Sequence, residues 1–521
     1  MSHRPNRSRI LNEIGLPRTL PSGAASFRKG GAGPEVLFFG LGPEPGKLPA
    51  YFPEVKRARF VECPAFEEQM PTEWAARVPE GFKRVEPEDL SPECLRRAVI
   101  MRYAENERLF PSFWGPLNAR RSLAHLGAAP LPEGRAVWLP GEDTDLLARE
   151  LEVAFQLEGF QTMRVNPERG ERPENLPWLL TQHRPRLFFS VNFKGLDSYG
   201  GLYHLLRRSG ARVAVWCVDN PFHLLTGVKS NFWKELDLFV TDHWFIEPLR
   251  ELGAQSVHHL PLAASPGLFK TVQAAHSTHS KQQADASPAR GNLSGIDGRL
   301  VFVGRSEFPQ KREFFSGVRV DEANLDEARA LLDSGIRADF GWWARREGVE
   351  RLWPGNGVRA AGLGAEETGR AWRALCLSQA GPGLTVIGDD AWKTLLPEGT
   401  DVRGPVDYYT ELPEIYRRAG CVLNMTSPLL PSGLTQRHFD VWTAGGFLLT
   451  DDTPGLSIFP EELVREVAFS TPGEMRALLE RHGGTAASSG LAAAWREVIL
   501  SAHTYRHRIS AVLAATELQG R

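Results

Sequence analysis

Arg437 and Asp440 stand three residues apart, shortly before the glycine pair Gly445 and Gly446. On a helix, residues three apart share a face, so the cation and the carboxylate would lie side by side. A fixed guanidinium can bind a diphosphate, and a neighbouring carboxylate can accept the hydroxyls of a ribose. The same spacing also fits an ordinary surface ion pair, and these residues alone leave both interpretations open.

The glycines indicate which elements position these charges. Gly445 can adopt the left-handed conformation that ends a helix, and residues 447–449 then read as a short buried strand. In a parallel α/β sheet, side chains around such junctions line the crevice where ligands bind. The pattern therefore predicts a helix and a strand of a parallel sheet.

Composition sets the wider limits. A chain of 521 residues is too long for one ordinary core, so roughly two to four domains are expected. Hydrophobic residues make up 42% of the chain, which is enough to build globular cores. Lys and Arg number 61 against 63 Asp and Glu, so the net charge of -2 indicates no general polyanion surface and makes nucleic acid a poor candidate partner.

Cysteine usage and hydropathy bear on the compartment. The five cysteines are scattered without paired spacing, which favours a reducing cytoplasm over a disulfide framework or a zinc site. The basic amino terminus is not followed by an apolar run of signal-peptide length, and no segment approaches the roughly 20 apolar residues of a membrane span. We expect a cytoplasmic protein with no transmembrane segment and no metal.

A small module precedes the rest of the chain. Residues 1–33 are rich in Arg, Pro, Gly and Ser and are predicted to form a flexible arm. Residues 34–130 begin with a strand, a glycine turn and a second strand ending at Glu62, which is typical of a Rossmann-like domain. Such an acid can hold a cofactor ribose, but Pro43 and Pro45 occupy the point where a phosphate-binding helix would begin. A structural module and a working cofactor site both stay open.

Residues 131–269 alternate strands with helices. Near-continuous apolar strands of this kind form parallel sheets covered on both faces, and the alternation implies right-handed crossovers in an open doubly wound sheet. A helix is predicted at 143–157, closed by Gly159. The strands are predicted at 136–139, 161–165, 187–191, 213–216, 238–240 and 257–260.

A second unit of the same kind is predicted at 299–470. Residues 270–298 are polar without apolar periodicity and are predicted to be a disordered linker. Residues 471–521 are predicted to be helices that cross back onto the preceding domain. The strands are predicted at 300–304, 384–387, 421–423, 447–449 and 467–469. Helices are predicted at 411–419 and 432–444 and within a Trp-rich insertion at 320–380.

Two doubly wound units place the carboxyl ends of their strands around a shared cleft, where closure can exclude water from a transfer reaction. The first unit carries an Asp-Asn-Pro turn at 219–221 between two apolar strands. The second has, in order, the segments 301–304, 311–312, 412–416, 421–425 and 436–450. This succession resembles the CgeB-like (spore maturation protein) glycosyltransferases of the GT-B class over roughly residues 135–475. The resemblance implies an α/β fold with a pair of Rossmann-like doubly wound domains facing a cleft, here preceded by a small α/β domain.

The resemblance also implies a donor and an acceptor. The donor would be a nucleotide-diphosphate sugar, with a UDP-sugar as the first candidate and no cofactor, and the acceptor a bacterial surface glycan or protein. Fixed cations would assist the departing diphosphate. The candidate cations are Arg305, Lys311, Arg312 and Arg437. For Arg305 and Lys311 the alternative is a solvated loop.

By resemblance, Asp440 stands where related enzymes place the second Glu of an E-x7-E motif, which binds the ribose. Arg403 and Gly404 resemble the loop that cradles the base, although an ordinary turn fits them too, and Gly445 and Gly446 are placed beside the same nucleotide. Eight residues before Asp440, Ser432 replaces the first Glu. This departure leaves the donor sugar and the stereochemical outcome open, and it favours the alternative of a non-catalytic nucleotide- or sugar-binding protein of envelope or spore-coat assembly.

An inverting transfer also needs a general base beside the acceptor hydroxyl. Asp219, at a strand end of the first unit, is the leading candidate, and Asp242 and His243 are reserves. Asp219 also fits the cap of a turn before Asn220. The tryptophans at 342–353 could stack on sugars or pack in a core.

Overall fold

The computed structural model describes residues 9–125, 135–165, 179–181, 183–267, 293–482 and 486–518. Its first part is a hairpin and a five-stranded sheet in the order β3-β7-β4-β5-β6, parallel except for the edge pair β3 and β7. The strands are β1 (Arg9–Leu11), β2 (Pro17–Thr19), β3 (Phe27–Gly30), β4 (Glu35–Phe39), β5 (Ala58–Val61), β6 (Phe82–Arg84) and β7 (Ala98–Tyr103). The helices are Leu48–Tyr51, Pro64–Glu67, Pro92–Arg97, Asn106–Leu109 and Pro111–Ala124.

Residues 9–33 belong to this amino-terminal domain, so the flexible arm predicted for 1–33 is wrong for them. Ile10 and Leu20 are only 3% and 4% exposed and belong to the core of the domain. Their apolar side chains are few and widely spaced among Arg, Pro and Gly, so local composition concealed them. Residues 1–8 lie outside the described residues.

The first doubly wound sheet has six parallel strands in the order β13-β12-β11-β10-β8-β9. The strands are β8 (Ala136–Pro140), β9 (Gln161–Val165), β10 (Leu187–Val191), β11 (Arg212–Cys217), β12 (Asp237–Val240) and β13 (Ser256–His259). The helices are Ala148–Leu157, Gly201–Arg208, Pro221–Leu225 and Ile246–Glu251. The first helix begins five residues later than predicted, after Leu147, which is left-handed with φ of 62°. Strand order reverses between β8 and β10.

The second doubly wound sheet also has six parallel strands, in the order β16-β15-β14-β17-β18-β19. The strands are β14 (Leu300–Val303), β15 (Leu384–Ile387), β16 (Asp401–Arg403), β17 (Cys421–Asn424), β18 (Leu448–Asp451) and β19 (Ala468–Phe469). Strand order reverses between β14 and β17. The α/β class with doubly wound parallel sheets is therefore confirmed, whereas β16 was not predicted as a strand.

Helices cover this second sheet and continue to the end of the described chain. They are Lys311–Phe314, Glu322–Asp333, Phe340–Arg346, Val358–Ser378, Trp392–Leu395, Leu412–Arg418, Arg437–Ala444, Glu461–Val464, Pro472–His482, Ala486–Ala502 and Tyr505–Ala515. The predicted linker lies outside the described residues up to position 292, but Ile296 is fully buried in the core of the second unit, so disorder is wrong for residues 293–298. No helix in the described ranges is both long enough and apolar enough to cross a membrane.

The carboxyl-terminal helix and the Trp-rich insertion help to join the doubly wound units. The helix Tyr505–Ala515 packs against the helix Ala148–Leu157 of the first unit. The Trp-rich insertion of the second unit also packs on the first, because Phe340 stacks on Phe222 with ring centroids 6.4 Å apart. Trp343 and Trp353 are 0% and 4% exposed in the same core, so they serve packing.

Candidate functional site

Arg437 lies at the point where the strand order of the second sheet reverses. Its Nη1 donates to the carbonyl oxygen of Val303, at the end of β14, over 2.5 Å. Its Nε donates to Oδ1 of Asn424, at the end of β17, over 2.6 Å. Within the described part of the chain, Nη2 has no hydrogen-bond partner. Ligands of open α/β sheets bind in the crevice outside such a switch point, so Arg437 is placed to offer a donor there.

A buried polar network fixes this arginine. Asn424 is 0% exposed, accepts a second hydrogen bond from Thr435 Oγ1 and donates to Thr450 Oγ1. His438 joins the same network through Thr435 and Thr450. Burial lowers the pKa of His438 to about 3, so its ring stays neutral and adds no second charge beside Arg437. The network locks the guanidinium in place before any ligand arrives.

Asp440 is 1% exposed, and both of its carboxyl oxygens already have protein partners. Tyr408 donates its hydroxyl to Oδ2 over 2.7 Å, and Gln436 Nε2 donates to Oδ1 over 2.9 Å. Burial raises the pKa of Asp440 to about 7. Asp440 forms no ion pair with Arg437, so the surface-pair interpretation is wrong. The ribose contact stays a prediction, and it requires Tyr408 or Gln436 to yield its hydrogen bond.

The other three predicted cations differ in whether they form ion pairs within the protein. Arg305 lies two residues after the end of β14 and is exposed, and Arg312 is exposed on the next helix. Neither has an ion pair within the described residues. Lys311, in contrast, is 7% exposed and binds Glu307 and Glu367 over 3.0 and 2.6 Å. The position and exposure of Arg305 suit a phosphate ligand, whereas the charge of Lys311 is already compensated.

Arg403 and Gly404 lie away from the switch point. Arg403 is on the edge strand β16, and β15 separates that strand from β14 at the switch point. Its guanidinium donates to Asp401 over 2.7 Å and to the carbonyl oxygen of Ser294 over 2.8 Å. Gly404 is exposed beyond that strand. Arg403 is therefore bound within the protein, whereas the resemblance implied that it belongs to a loop that holds the base of the nucleotide.

Gly445 and Gly446 serve the helix end. Gly445 has φ of 83° and caps the helix Arg437–Ala444, as predicted. A Cβ on Gly446 would lie 2.3 Å from the carbonyl oxygen of Tyr416, so glycine permits close packing there. Both glycines precede the amino end of β18 and thus lie at the opposite end of the helix from Arg437. Their placement beside the nucleotide is corrected accordingly.

The switch point of the first sheet opens into a cavity of about 400 Å³. It is lined by the ends of β8 and β10 and by Asn192, Phe193 and Lys194, which follow β10. Asn192 and Phe193 are both left-handed, with φ of 54° and 61°. Two consecutive non-glycine residues in this region are costly and are found where function or packing requires them. Sequence reasoning missed these residues, although a polar residue directly after a strand could have indicated Asn192.

Asn192 holds the predicted base Asp219. Its Nδ2 donates to Asp219 Oδ2 over 2.7 Å, and its Oδ1 accepts from the backbone amide of Val218 over 2.9 Å. Asp219 is open to solvent, yet the surrounding protein desolvates it and raises its pKa, while the Asn192 hydrogen bond lowers it. An exposed carboxylate with a raised pKa and one fixed oxygen is suited to accept a proton.

Asp242 and His243, the reserve bases, occupy different environments. Asp242 is 0% exposed and accepts from the backbone amides of Trp244 and Ser432, each over 2.8 Å. It therefore caps a turn and joins the two doubly wound units, and it is not available as a base. His243 is exposed and contacts the ring of His259 edge-on at 5.4 Å. Ser432 itself is buried in this junction, where the resemblance placed a donor-sugar contact.

The amino-terminal domain holds its acid inward. Glu62 is 2% exposed and accepts from the backbone amides of Leu41 and Cys63 over 2.8 and 3.0 Å. A Cβ on Gly40 would lie 1.6 Å from Asn106 Nδ2, so the glycine turn is packed against its own domain. Burial raises the pKa of Glu62 to about 8, and its side chain stabilises the glycine turn through these two hydrogen bonds. These contacts favour the structural module over the cofactor site.

Comparisons with known proteins bear on the second unit. Residues 370–514 match a family model described as glycosyl transferase-like. This range includes Arg437, Asn424 and Asp440. No curated protein sequence matches the chain.

Three solved structures are similar at low identity. A UDP-forming α,α-trehalose-phosphate synthase from Burkholderia xenovorans is 11% identical, with 74% of this chain and 99% of that chain covered and a TM-score of 0.38. Anabaena HepE in complex with UDP-glucose is 10% identical over 73% and 99% of the two chains, with a TM-score of 0.39. T4 phage BGT in complex with UDP-glucose is 8% identical over 74% and 99%, with a TM-score of 0.39.

Proposed function

We propose that this protein transfers a sugar from a nucleotide-diphosphate donor to an acceptor hydroxyl. The observation that carries the proposal is Arg437, which bridges the ends of β14 and β17 at the switch point and keeps Nη2 unpartnered within the described residues. It lies inside the glycosyl transferase-like region. A diphosphate at this position would meet a fixed guanidinium, and exposed Arg305 follows Val303 by two residues.

In the proposed reaction the acceptor oxygen bonds to the anomeric carbon as the bond from that carbon to the diphosphate breaks. Asp219 takes the proton of the acceptor hydroxyl, and the departing diphosphate carries away the bonding electron pair. Arg437 and Arg305 stabilise the charge that develops on the diphosphate. The cavity at the first switch point, next to Asn192, would hold the acceptor.

The finer assignments belong to the same proposal. We propose a UDP-sugar as the donor to test first and a bacterial surface glycan or protein as the acceptor, as the CgeB-like resemblance implies. Asp440 would contact the ribose once Tyr408 moves. A cytoplasmic location follows only from the cysteine pattern and remains a prediction.

Thermal stabilisation and turnover test the donor site. We expect one of UDP, GDP, ADP and TDP to raise the melting temperature, because a ligand that binds only the native state stabilises it. Arg437→Ala should abolish this rise and the release of nucleotide from the matching sugar donor. Arg319→Ala is the matched control, since Arg319 is an exposed arginine of the same unit. Equal stabilisation and turnover in all three proteins would refute the proposal.

A second candidate is a binding protein without turnover. The observation that favours it is Ser432, which has no carboxylate and whose backbone is tied to Asp242 across the junction. This candidate predicts nucleotide-dependent stabilisation that needs Arg437, but no donor hydrolysis or transfer with any acceptor. Isotope-labelled donor, followed over a panel of acceptors, separates the two candidates.

A further inference from the structure

A second and larger cavity, of about 790 Å³, lies where the amino-terminal domain meets the first doubly wound unit. One wall is the helix Pro111–Ala124 of the amino-terminal domain, and the other is the helix Gly201–Arg208. Neither Arg437 nor Asp219 lines it. A cavity of this size at a domain junction is a common location for a small-molecule site.

Arginines are concentrated along one side of this cavity. Arg28 and Arg102 lie directly opposite each other on the antiparallel strands β3 and β7, and Arg108 follows β7. Like charges facing each other across two strands destabilise the pair. Arg121 lies just behind, and burial together with the charge of Arg102 lowers its pKa. The carboxylates Glu105, Glu107 and Asp197 also line the cavity, so the arginines are distinguished by their lack of close partners and not by a net charge.

Ion pairing differs among these arginines. Arg102 binds Glu107 over 2.7 Å. Arg28 and Arg108 are exposed and have no ion-pair partner within the described ranges, and Arg121 also lacks one there. Two guanidinium groups on the cavity wall are therefore available to an anionic ligand.

The carboxylates Asp197 and Glu105 of the same cavity differ in the contacts they make within the protein. Asp197 accepts three backbone amide hydrogen bonds, from Tyr199, Gly201 and Leu202, over 3.1, 3.0 and 2.9 Å. Glu105 also lines the cavity and forms no ion pair among the described residues. A free carboxylate beside free guanidinium groups can accept hydroxyl hydrogens while the cations hold an acidic group.

Unsatisfied polar atoms occur in the wall as well. Asn118 and Trp114 both line the cavity, and the Asn118 Oδ1 and Trp114 Nε1 atoms are buried without a hydrogen-bond partner. Unpartnered buried polar groups are uncommon in native proteins and call for an explanation. A polar ligand that reached this wall after a small side-chain adjustment would supply the missing acceptor and donor.

We propose that this cavity binds a phosphorylated saccharide, with Arg28 and Arg108 on the phosphate and Glu105 on the sugar hydroxyls. A sugar supplies the hydroxyls that Glu105 and Asn118 can bind, and a phosphate supplies acceptors for the guanidinium groups of Arg28 and Arg108. The site is separate from the proposed donor site in both its residues and its domain. It makes the amino-terminal domain a recognition module rather than a cofactor domain.

Isothermal titration tests the proposal on the full chain, with glucose 6-phosphate, glucose and inorganic phosphate as probes. Glucose 6-phosphate should bind, and Arg28→Ala and Arg108→Ala should each weaken it about 10-fold, the loss expected for one charged hydrogen bond. Lys29→Ala is the matched control, because Lys29 is exposed on the same strand and points to the opposite face. Arg28→Ala and Arg108→Ala should leave thermal stabilisation by a nucleoside diphosphate unchanged. Failure of the saccharide-site proposal is therefore distinguishable from failure of the transferase proposal.

Three results would overturn the proposal. The first is no binding of glucose 6-phosphate to the unmodified chain. The second is an equal loss of affinity in the Arg28 and Lys29 variants, which would indicate a general charge effect. The third is equal affinity for inorganic phosphate and glucose 6-phosphate, which would reduce the site to an anion contact without sugar recognition.

Discussion

The buried carboxyl group of Asp440 links the stability of the protein to pH. Its pKa in the folded protein is about 7, whereas an aspartate in an unfolded chain titrates near about 3.9. Between these values the folded state binds more protons than the unfolded state does. The free energy of unfolding contributed by this group therefore falls as pH rises through that window, and the contribution is fully present only below the unfolded value.

The size of the effect follows from the shift. Between pH 5 and the folded pKa of about 7, the folded state binds one more proton at this group than the unfolded state does. Over these roughly two pH units the free energy of unfolding falls by about 3 kcal/mol, at about 1.4 kcal/mol per unit. Asp440→Asn abolishes this titration and keeps an oxygen for the Tyr408 hydroxyl. We expect the stability of the variant relative to the unmodified protein to increase by about 3 kcal/mol between pH 5 and pH 8.

Urea denaturation at pH 5, 6, 7 and 8, followed by tryptophan fluorescence, measures this difference. Burial also raises the pKa of Glu150, and the charge of Glu150 raises that of Asp440, so the comparison is repeated in a Glu150→Gln background to isolate Asp440. Asp452→Asn is the control, because Asp452 is an exposed aspartate of the same unit. A constant difference between the Asp440 variant and the unmodified protein across this range would refute the reasoning.

Two further predictions concern the strand ends and the helix end. Asn192→Ala removes the hydrogen bond that lowers the pKa of Asp219, so the acidic limb of the pH–rate profile for transfer should move to higher pH; an unmoved limb would exclude Asp219 as the base. Gly445→Ala should lower the free energy of unfolding by about 1 kcal/mol, and Gly446→Ala by more because of the Tyr416 carbonyl, as thermal melts would measure. Nucleotide affinity should be unchanged in both glycine variants, and a loss would restore their ligand role.

Much of the fold was predictable because it depends on local patterns. Buried parallel strands such as β10 and β14 are continuous apolar runs, and the sequence shows them directly. The edge strand β16 has a single apolar residue between two charges, so nothing in its pattern distinguishes it from a loop. Strand order is set by the packing of distant segments, so the sequence predicted a doubly wound parallel sheet but not the order of its strands.

The site was predicted less completely, for the same reason. Arg437 was identified from its helical spacing and its place before a strand, but its partner Val303 is more than a hundred positions away in the chain. Burial decided the other outcomes. Lys311 and Asp242 are residue types that could do chemistry, and only their enclosure by Glu307, Glu367 and backbone amides assigns them to structure.

Gln436 has a consequence for how the two units communicate. Its amide donates to the carbonyl oxygen of Ala263 in the first unit over 2.7 Å and accepts from the Tyr505 hydroxyl over 2.8 Å. It is the immediate neighbour of Arg437, so a rotation of one unit against the other would strain a hydrogen bond next to the arginine of the proposed donor site. If occupation of the first unit favours one rotation, donor affinity changes with it, and linkage requires donor binding to change acceptor affinity by the same factor. In the proposed transferase, Gln436 would therefore couple the affinities for the two substrates.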